Sequence, residues 1–530
     1  MLQRERRDPS MGLVWEDLPD LHSAQAAFLE LYPEYQATCA IDSVRRTEYP
    51  HLDEDRHACF DYGGTGIFSS REHQNFALAY APTSLVSHAL YEDSRSIEGT
   101  MRARILAHLG LDERDYSIVF AADSCSALRL LVDSFHFDRI LLGYDFKNEG
   151  LSRIEESARA TGAKVVHATL SSTGFGIDRR SLQRKLKKHK REFKGLFAYP
   201  IVSRVTGTKN SVEWIKEARD NGWCVLLDVS GIGAASSSMD LAGLSPDFLV
   251  GSFYKVFGMD PTGFGCLVVK KFMLGDCSGG RAAGMVKVVK AHSSFLQVPE
   301  SFKQKSESYD AAASLSSRKD NGMNPQRRLE VAKPKPLKES VSASVKLTRS
   351  SEFQATRYYY STSRASSFHG LHHAEKLAKL ASMRQDSLLG WLRASLLLLR
   401  HPSPGRPGLV TIHSPEDSGP ALAFSLSDHS GEFLDPELVQ RLANRSNISL
   451  GTGAIQARPA AMEENSYFCV RKLEASSSSV QSVLCATLGL VTTFRDVFQL
   501  WEFVAQFLDP GFCSRELLQY QGLDQETVFL

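Results

Sequence analysis

Three apolar runs, each too short to be a helix, constrain the fold of this 530-residue chain more than any other feature. Trp223-Cys-Val-Leu-Leu-Asp228, Phe248-Leu-Val250 and Cys266-Leu-Val-Val269 are bounded by turn residues and read as buried strands. The first two lie a helix-sized interval apart, which predicts neighbours in a largely parallel sheet. Ligands on such sheets bind beyond the carboxyl ends of the strands. Asp228 sits at one such end, and Lys255 follows another, inside the glycine-bounded stretch from Gly251 to Gly265.

Lys255 stands among Ser252, Tyr254 and aromatic neighbours, and apolar surroundings disfavour an ammonium. A lysine kept neutral attacks carbonyls and holds an aldehyde cofactor as a Schiff base. An aspartate on the adjoining strand end can pair with a protonated pyridine nitrogen. Lys255 and Asp228 together therefore point to pyridoxal 5'-phosphate (PLP). Each residue alone has a plainer explanation: Lys255 with its head in water, and Asp228 as a turn or cap residue in Asp228-Val-Ser-Gly231.

Composition narrows the classes. A net charge of +1 gives no global case for nucleic-acid or membrane partners, and the basic run Arg184–Arg191 reads as a solvated helix face. The length suggests two or three domains, and 42% hydrophobic residues supplies their cores. Nine cysteines without paired CxxC spacing argue against a disulfide framework or a zinc site, and point to a reducing compartment such as the cytoplasm. His372 and His373 are adjacent, so on a helix they diverge by about 100° and make a poor metal pair; no metal is expected. Met1–Ser10 is polar, with no secretory pattern, and the longest strongly apolar run, Leu396–Leu399, is too short to span a bilayer. Gly63-Gly64-Thr65-Gly66 lacks the Gly-Lys-Ser ending of a nucleotide-binding P-loop.

Ser252-Phe-Tyr-Lys-Val-Phe-Gly258, followed by Pro261-Thr-Gly-Phe-Gly265, resembles the lysine segment of the molybdenum cofactor sulfurase family. Within it, the chain looks like the plant group described as molybdenum-cofactor-sulfurase-like proteins. The resemblance extends through Phe60–Ser69, Ser203–Lys209, Val439–Gly451 and Thr493–Trp501. It implies a cysteine-desulfurase-like, aminotransferase class V module. The fold class is then α/β, a fold-type-I PLP-dependent transferase with a large domain on a mostly parallel sheet and a smaller α/β domain. The expected boundaries are an N-terminal extension over 1–59 packing with the small domain, a PLP-binding domain over 60–292, and a small domain over 367–530. A homodimer acting on a small-molecule amino acid is implied as well.

The resemblance also assigns residues. Asp123-Ser-Cys-Ser126 opens a helix, and the free N–H groups and positive dipole end of such a turn suit an anion. In the family this turn grips the cofactor phosphate, which implies Ser124 and Cys125 here, with Ser252 and Tyr254 joining them. Asp123 stands where the family commonly has glycine, and its carboxylate repels a phosphate unless it turns away as a helix cap. Phe146 occupies the register of a histidine that stacks on the pyridine ring in desulfurases; phenylalanine can stack but transfers no proton. Arg204 stands where the family often has asparagine near the cofactor's phenolic oxygen. It reads as a donor to that oxygen, a receptor for a substrate carboxylate or a member of a structural ion pair.

From about 293 to 366 periodicity is lost among Ser, Lys and Arg, so an exposed, disordered insertion is expected. Elsewhere the pattern predicts a helix over 20–32, a charged connector after Pro33, strands near 117–122, 163–167, 195–199, 408–412 and 421–425, a loop from Ser446 to Gly453 and a closing helix over 493–507. Sulfur transfer in the family uses a loop cysteine as the thiolate nucleophile. The matching stretch, Asn447–Gly453, contains none, and Cys469 and Cys485 read as buried thiols. The end at Leu530 predicts the lack of a carboxy-terminal molybdenum-cofactor-binding barrel. Two functions stay open: a PLP enzyme working through Lys255 without support for sulfur transfer, and a catalytically degenerate scaffold or interaction protein.

Overall fold

The three apolar runs form neighbouring strands of a seven-stranded sheet. In chain order the strands of this region are β1 (Tyr116–Ala121), β2 (Arg139–Leu142), β3 (Phe146–Lys147), β4 (Lys164–His167), β5 (Gly195–Pro200), β6 (Trp223–Asp228), β7 (Phe248–Ser252) and β8 (Gly265–Lys270). All but β3 build the sheet, in the order β1-β8-β7-β6-β5-β2-β4. From β4 to β7 the pairing is parallel, and β8 runs antiparallel to both β7 and β1. Asp228 pairs with Pro200 on one side and Val250 on the other, so the carboxyl ends of β5 and β6 lie level and β7 runs two residues further, to Ser252.

The computed structural model describes residues 18–54, 56–61, 76–81, 84–90, 95–171, 176–187, 194–232, 241, 243–252, 265–277, 284–290, 379–401, 408–456, 480–509, 511–513 and 515–516. These belong to one unit of the chain, 1–291 with 373–530. Lys255, Tyr254, Cys469 and the expected insertion lie outside the described residues, as does the side chain of Ser252.

Both faces of the large sheet are covered, which explains strands that read as unbroken apolar runs. On one face, helix α2 (Ser124–Ser134) turns Leu128 and Leu131 into a core with Val119, Phe248 and Leu267, joined by Ile154 of α3 (Glu149–Thr161). On the other, Trp214 and Ile215 pack with Ile118, Phe197 and Leu249.

A second, wholly antiparallel sheet contains β9 (Val410–Ile412), β10 (Ala421–Leu426), β11 (Gly451–Gln456) and β12 (Val480–Thr487). Its order is β9-β10-β12-β11-β3. Its edge strand is therefore taken from the stretch that leaves the large sheet, with Phe146 opposite Ile455 and Lys147 opposite Ala454. The expected loop over 446–453 is mostly strand: Ile448–Ser449 pairs in parallel with Ala58–Cys59, and β11 begins at Gly451. Its glycines serve close packing, since a Cβ on Gly453 would stand 2.6 Å from Val205 Cγ1.

Helices α1 (Leu21–Leu31), α4 (379–397) and α5 (Phe494–Ala505) share a further core. Phe28 stacks on Phe494 at 4.5 Å, with Trp391 edge-on to Phe28 at 6.5 Å. The expected charged connector after Pro33 is a 3-10 turn, Pro33–Thr38, and a helix, Ala40–Glu48. Two of its charges, Arg45 and Asp42, are paired, with Asp496 and Arg384, which arrive from the far end of the chain. Among the described residues no helix is long and apolar enough to cross a membrane.

Candidate active site

Asp228 ends β6 as a buried carboxylate. Its Oδ1 accepts the Ser230 N–H at 2.8 Å, and its carbonyl accepts Ile201 N–H at 3.0 Å. The turn that follows is pressed against the next strand's exit: a Cβ on Gly231 would collide with the Val202 carbonyl oxygen. The Lys255 stretch leaves from the neighbouring strand end, where Ser252 pairs with Gly265.

Gly265 in turn lies against the start of α2, where a Cβ would strike the Asp123 carbonyl and approach Ser124 N to 2.7 Å. Gly284, at φ +94°, approaches Ser126 from the other side. Asp123 is the helix cap, its carboxylate accepting Ser126 N–H at 2.6 Å. Ser124 has no hydrogen-bond partner among the described residues, so its N–H and hydroxyl remain for an anion. Cys125 points elsewhere: a Cβ on Gly150 of α3 would stand 3.2 Å from its Sγ. Burial pushes this thiol up, the nearby Arg204 charge opposing.

Tyr144 and Asp145, between β2 and β3, escaped the sequence reading. Tyr144 is buried with its hydroxyl beside Asp228. Burial and the Asp228 charge push it well above the usual phenol value, while Arg204 opposes. The hydroxyl makes no well-formed hydrogen bond among the described residues. Asp145 accepts from the Thr206 hydroxyl, and Thr206 and Thr208 hydroxyls meet at 2.8 Å. Its Oδ1 is buried without a partner among the described residues, and burial raises its carboxyl despite those hydroxyls. The signal for both residues was available, since polar side chains just past a parallel strand's carboxyl end follow the rule that singled out Asp228.

The Ser203–Lys209 motif is a tight buckle. Ser203 N–H donates to Thr208 O at 2.8 Å, and Gly207, at φ +70°, lies where a Cβ would stand 2.6 Å from Ala421 O of β10. Arg204 projects from this buckle with its guanidinium 5.7 Å from the Phe146 ring centre, and has no ion pair among the described residues. Phe146 is fully buried within β3, its ring edge-on to Tyr144 at 5.4 Å. Cys485 is a buried thiol whose Sγ lies 3.3 Å from Val205 O. The structure thus gathers Asp228, Tyr144, Arg204, Phe146 and Cys125 at one rim.

Residues 87–315 match the aminotransferase class-V family. Molybdenum cofactor sulfurases of Botryotinia fuckeliana and Bombyx mori are 29% and 32% identical to this chain over 252 and 195 residues. Those alignments cover 44% and 32% of this chain but 29% and 23% of the relatives, less than a third of their length. Among solved structures, the apo cysteine desulfurase of Thermococcus onnurineus NA1 matches with a TM-score of 0.50 and 15% identity, over 87% of this chain and 96% of that one. The chain thus has the fold of the cysteine desulfurases and is similar over part of its length to the molybdenum cofactor sulfurases. Its 447–453 stretch is built into strands and carries no thiol.

Proposed function

We propose that this protein is a PLP-dependent enzyme acting on a small-molecule amino acid, with Lys255 holding the cofactor. The observation that carries this reading is the buried carboxylate of Asp228 at the end of β6, opposite Val250 of the strand from whose end, two residues on, the Lys255 stretch departs. The residues fit the group. Asp228 has one oxygen on Ser230 N–H and the other available to a ring N–H. The start of α2, closely backed by Gly265, offers Ser124 to a phosphate, while Asp123 folds onto Ser126. When bound, PLP supplies an electron sink for chemistry at the substrate's α or β carbon.

The chain's own residues then divide the work. Asp228 accepts the hydrogen bond of the ring nitrogen's proton. Ser252 and Tyr254 join Ser124 at the phosphate, where Cys125 contributes backbone only, because its thiol faces α3. Arg204 supplies positive charge on the Phe146 side, and Phe146 packs beneath it rather than moving protons. The reading includes a homodimer, the assembly typical of the family, in the cytoplasm. It keeps 60–292 as the cofactor domain, 367–530 as the small domain, 1–59 as an extension and 293–366 as an insertion. Adding PLP to purified protein should produce a visible absorption band, with Asp228→Ala weakening uptake roughly tenfold or more, the worth of one charge-assisted hydrogen bond. A protein that stays colourless overturns the proposal.

A second reading, a scaffold that kept the fold, is favoured by the thiol-free strands at 447–453 and by Phe146, which has no proton to give. Its signature is PLP uptake without turnover of any amino acid and without sulfide from cysteine. Sulfide release at a desulfurase-like rate would count against it.

A further inference from the structure

Two buried polar atoms past the end of β2 have no well-aligned hydrogen-bond partner among the described residues: Asp145 Oδ1, and the Tyr144 hydroxyl, which stands within reach of the Asp228 carboxylate. Tyr144 is the one that faces the site. Three ionisable groups act on it: Asp228 from the end of β6, Arg204 from the loop after β5 and Cys125 from α2. A buried hydroxyl whose bond is left poorly aligned is costly, so native chains seldom keep one without a use for it. Packing alone does not call for the oxygen, because a phenylalanine would make the same edge contact with Phe146. Asp228 has one oxygen on Ser230 N–H and is the anionic acceptor beside Tyr144.

The geometry points to Tyr144 as a positioning residue that donates its hydroxyl hydrogen bond to Asp228 when a pyridine ring is seated against that carboxylate. This rests on the PLP reading and adds to it a residue that no motif marks. A hydrogen bond given to a carboxylate favours its charged form. With that bond made, the Asp228 carboxylate keeps its hold on the ring N–H. Cys125, raised by burial, stays neutral.

The test is PLP affinity by absorbance titration, from pH 8 down to the acid limit of folding, for wild type, Tyr144→Phe, Asp228→Asn and the double variant. Tyr144→Phe should move the acid-side midpoint of affinity up by about one pH unit, the scale of one hydrogen bond to a charged group. On the Asp228→Asn background the same substitution should have no further effect on the profile. A uniform loss of affinity at every pH, or an unchanged profile, overturns the role of Tyr144 and leaves the PLP reading standing. Wild-type protein that takes up no PLP overturns both.

Discussion

Two buried polar clusters in this chain are built on opposite terms. Around α5, Arg45 donates to Asp496 at 2.6 Å, to Asp53 at 2.7 Å and to the Val491 carbonyl at 2.9 Å. Arg384 donates to Asp42, to the Tyr35 hydroxyl at 2.8 Å and to the carbonyls of Thr38 and Thr492. Past β2 and β5, by contrast, the Tyr144 hydroxyl and Asp145 Oδ1 lie open, and Arg204 rests on an aromatic ring instead of a carboxylate. The first cluster is closed and ties the N-terminal helices to α4 and α5. The second keeps unspent hydrogen-bonding capacity, which is what a ligand site needs and a purely structural network avoids.

That contrast can be broken or sharpened by substitution. The largest effect is expected in the closed cluster: Asp496→Ala leaves the buried Arg45 guanidinium with only the half-exposed Asp53 and backbone carbonyls and should cost about 3 kcal/mol in denaturant unfolding. A loss below about 1 kcal/mol would mean that the cluster is not closed in the sense argued. Next comes Asp145. Burial raises its carboxyl above the usual 3.8, so the folded state holds this proton to higher pH than the unfolded chain. Its contribution to stability is therefore full below the unfolded value and is lost as pH rises through the folded one. Asp145→Asn removes that loss, so melting temperatures should favour the variant increasingly from pH 4 to pH 8; the opposite trend contradicts the assignment. The smallest effect is expected from Tyr144→Phe in the absence of PLP, within about 1 kcal/mol of wild type, because no well-formed hydrogen bond is removed.

The large sheet was legible because its strands are buried on both faces and show as short apolar runs with turn residues at their ends. Asp228 followed from the same pattern. So did α2, whose cap, Asp123, is written locally as Asp-Ser-Cys-Ser. What the sequence concealed was non-local. The pairing of Phe146 with Ile455 joins stretches far apart in the chain, and nothing near either residue announces it. The 33–54 region looked like a solvated connector because its charges were visible and their partners, Asp496 and Arg384, were not. The 446–453 stretch reads as a loop, yet it is mostly strand, with Gly451 and Gly453 small because Asp61 and Val205 press against them. Tyr144 and Asp145 carry no motif, and their place just past the carboxyl end of β2 was the one signal available.

The central claim, that Lys255 holds PLP opposite Asp228, is tested most directly by borohydride reduction of PLP-treated protein followed by peptide mapping. The label should fall on the peptide containing Lys255 and be absent from Lys255→Ala. Label on another lysine, or equal labelling of the variant, would contradict it.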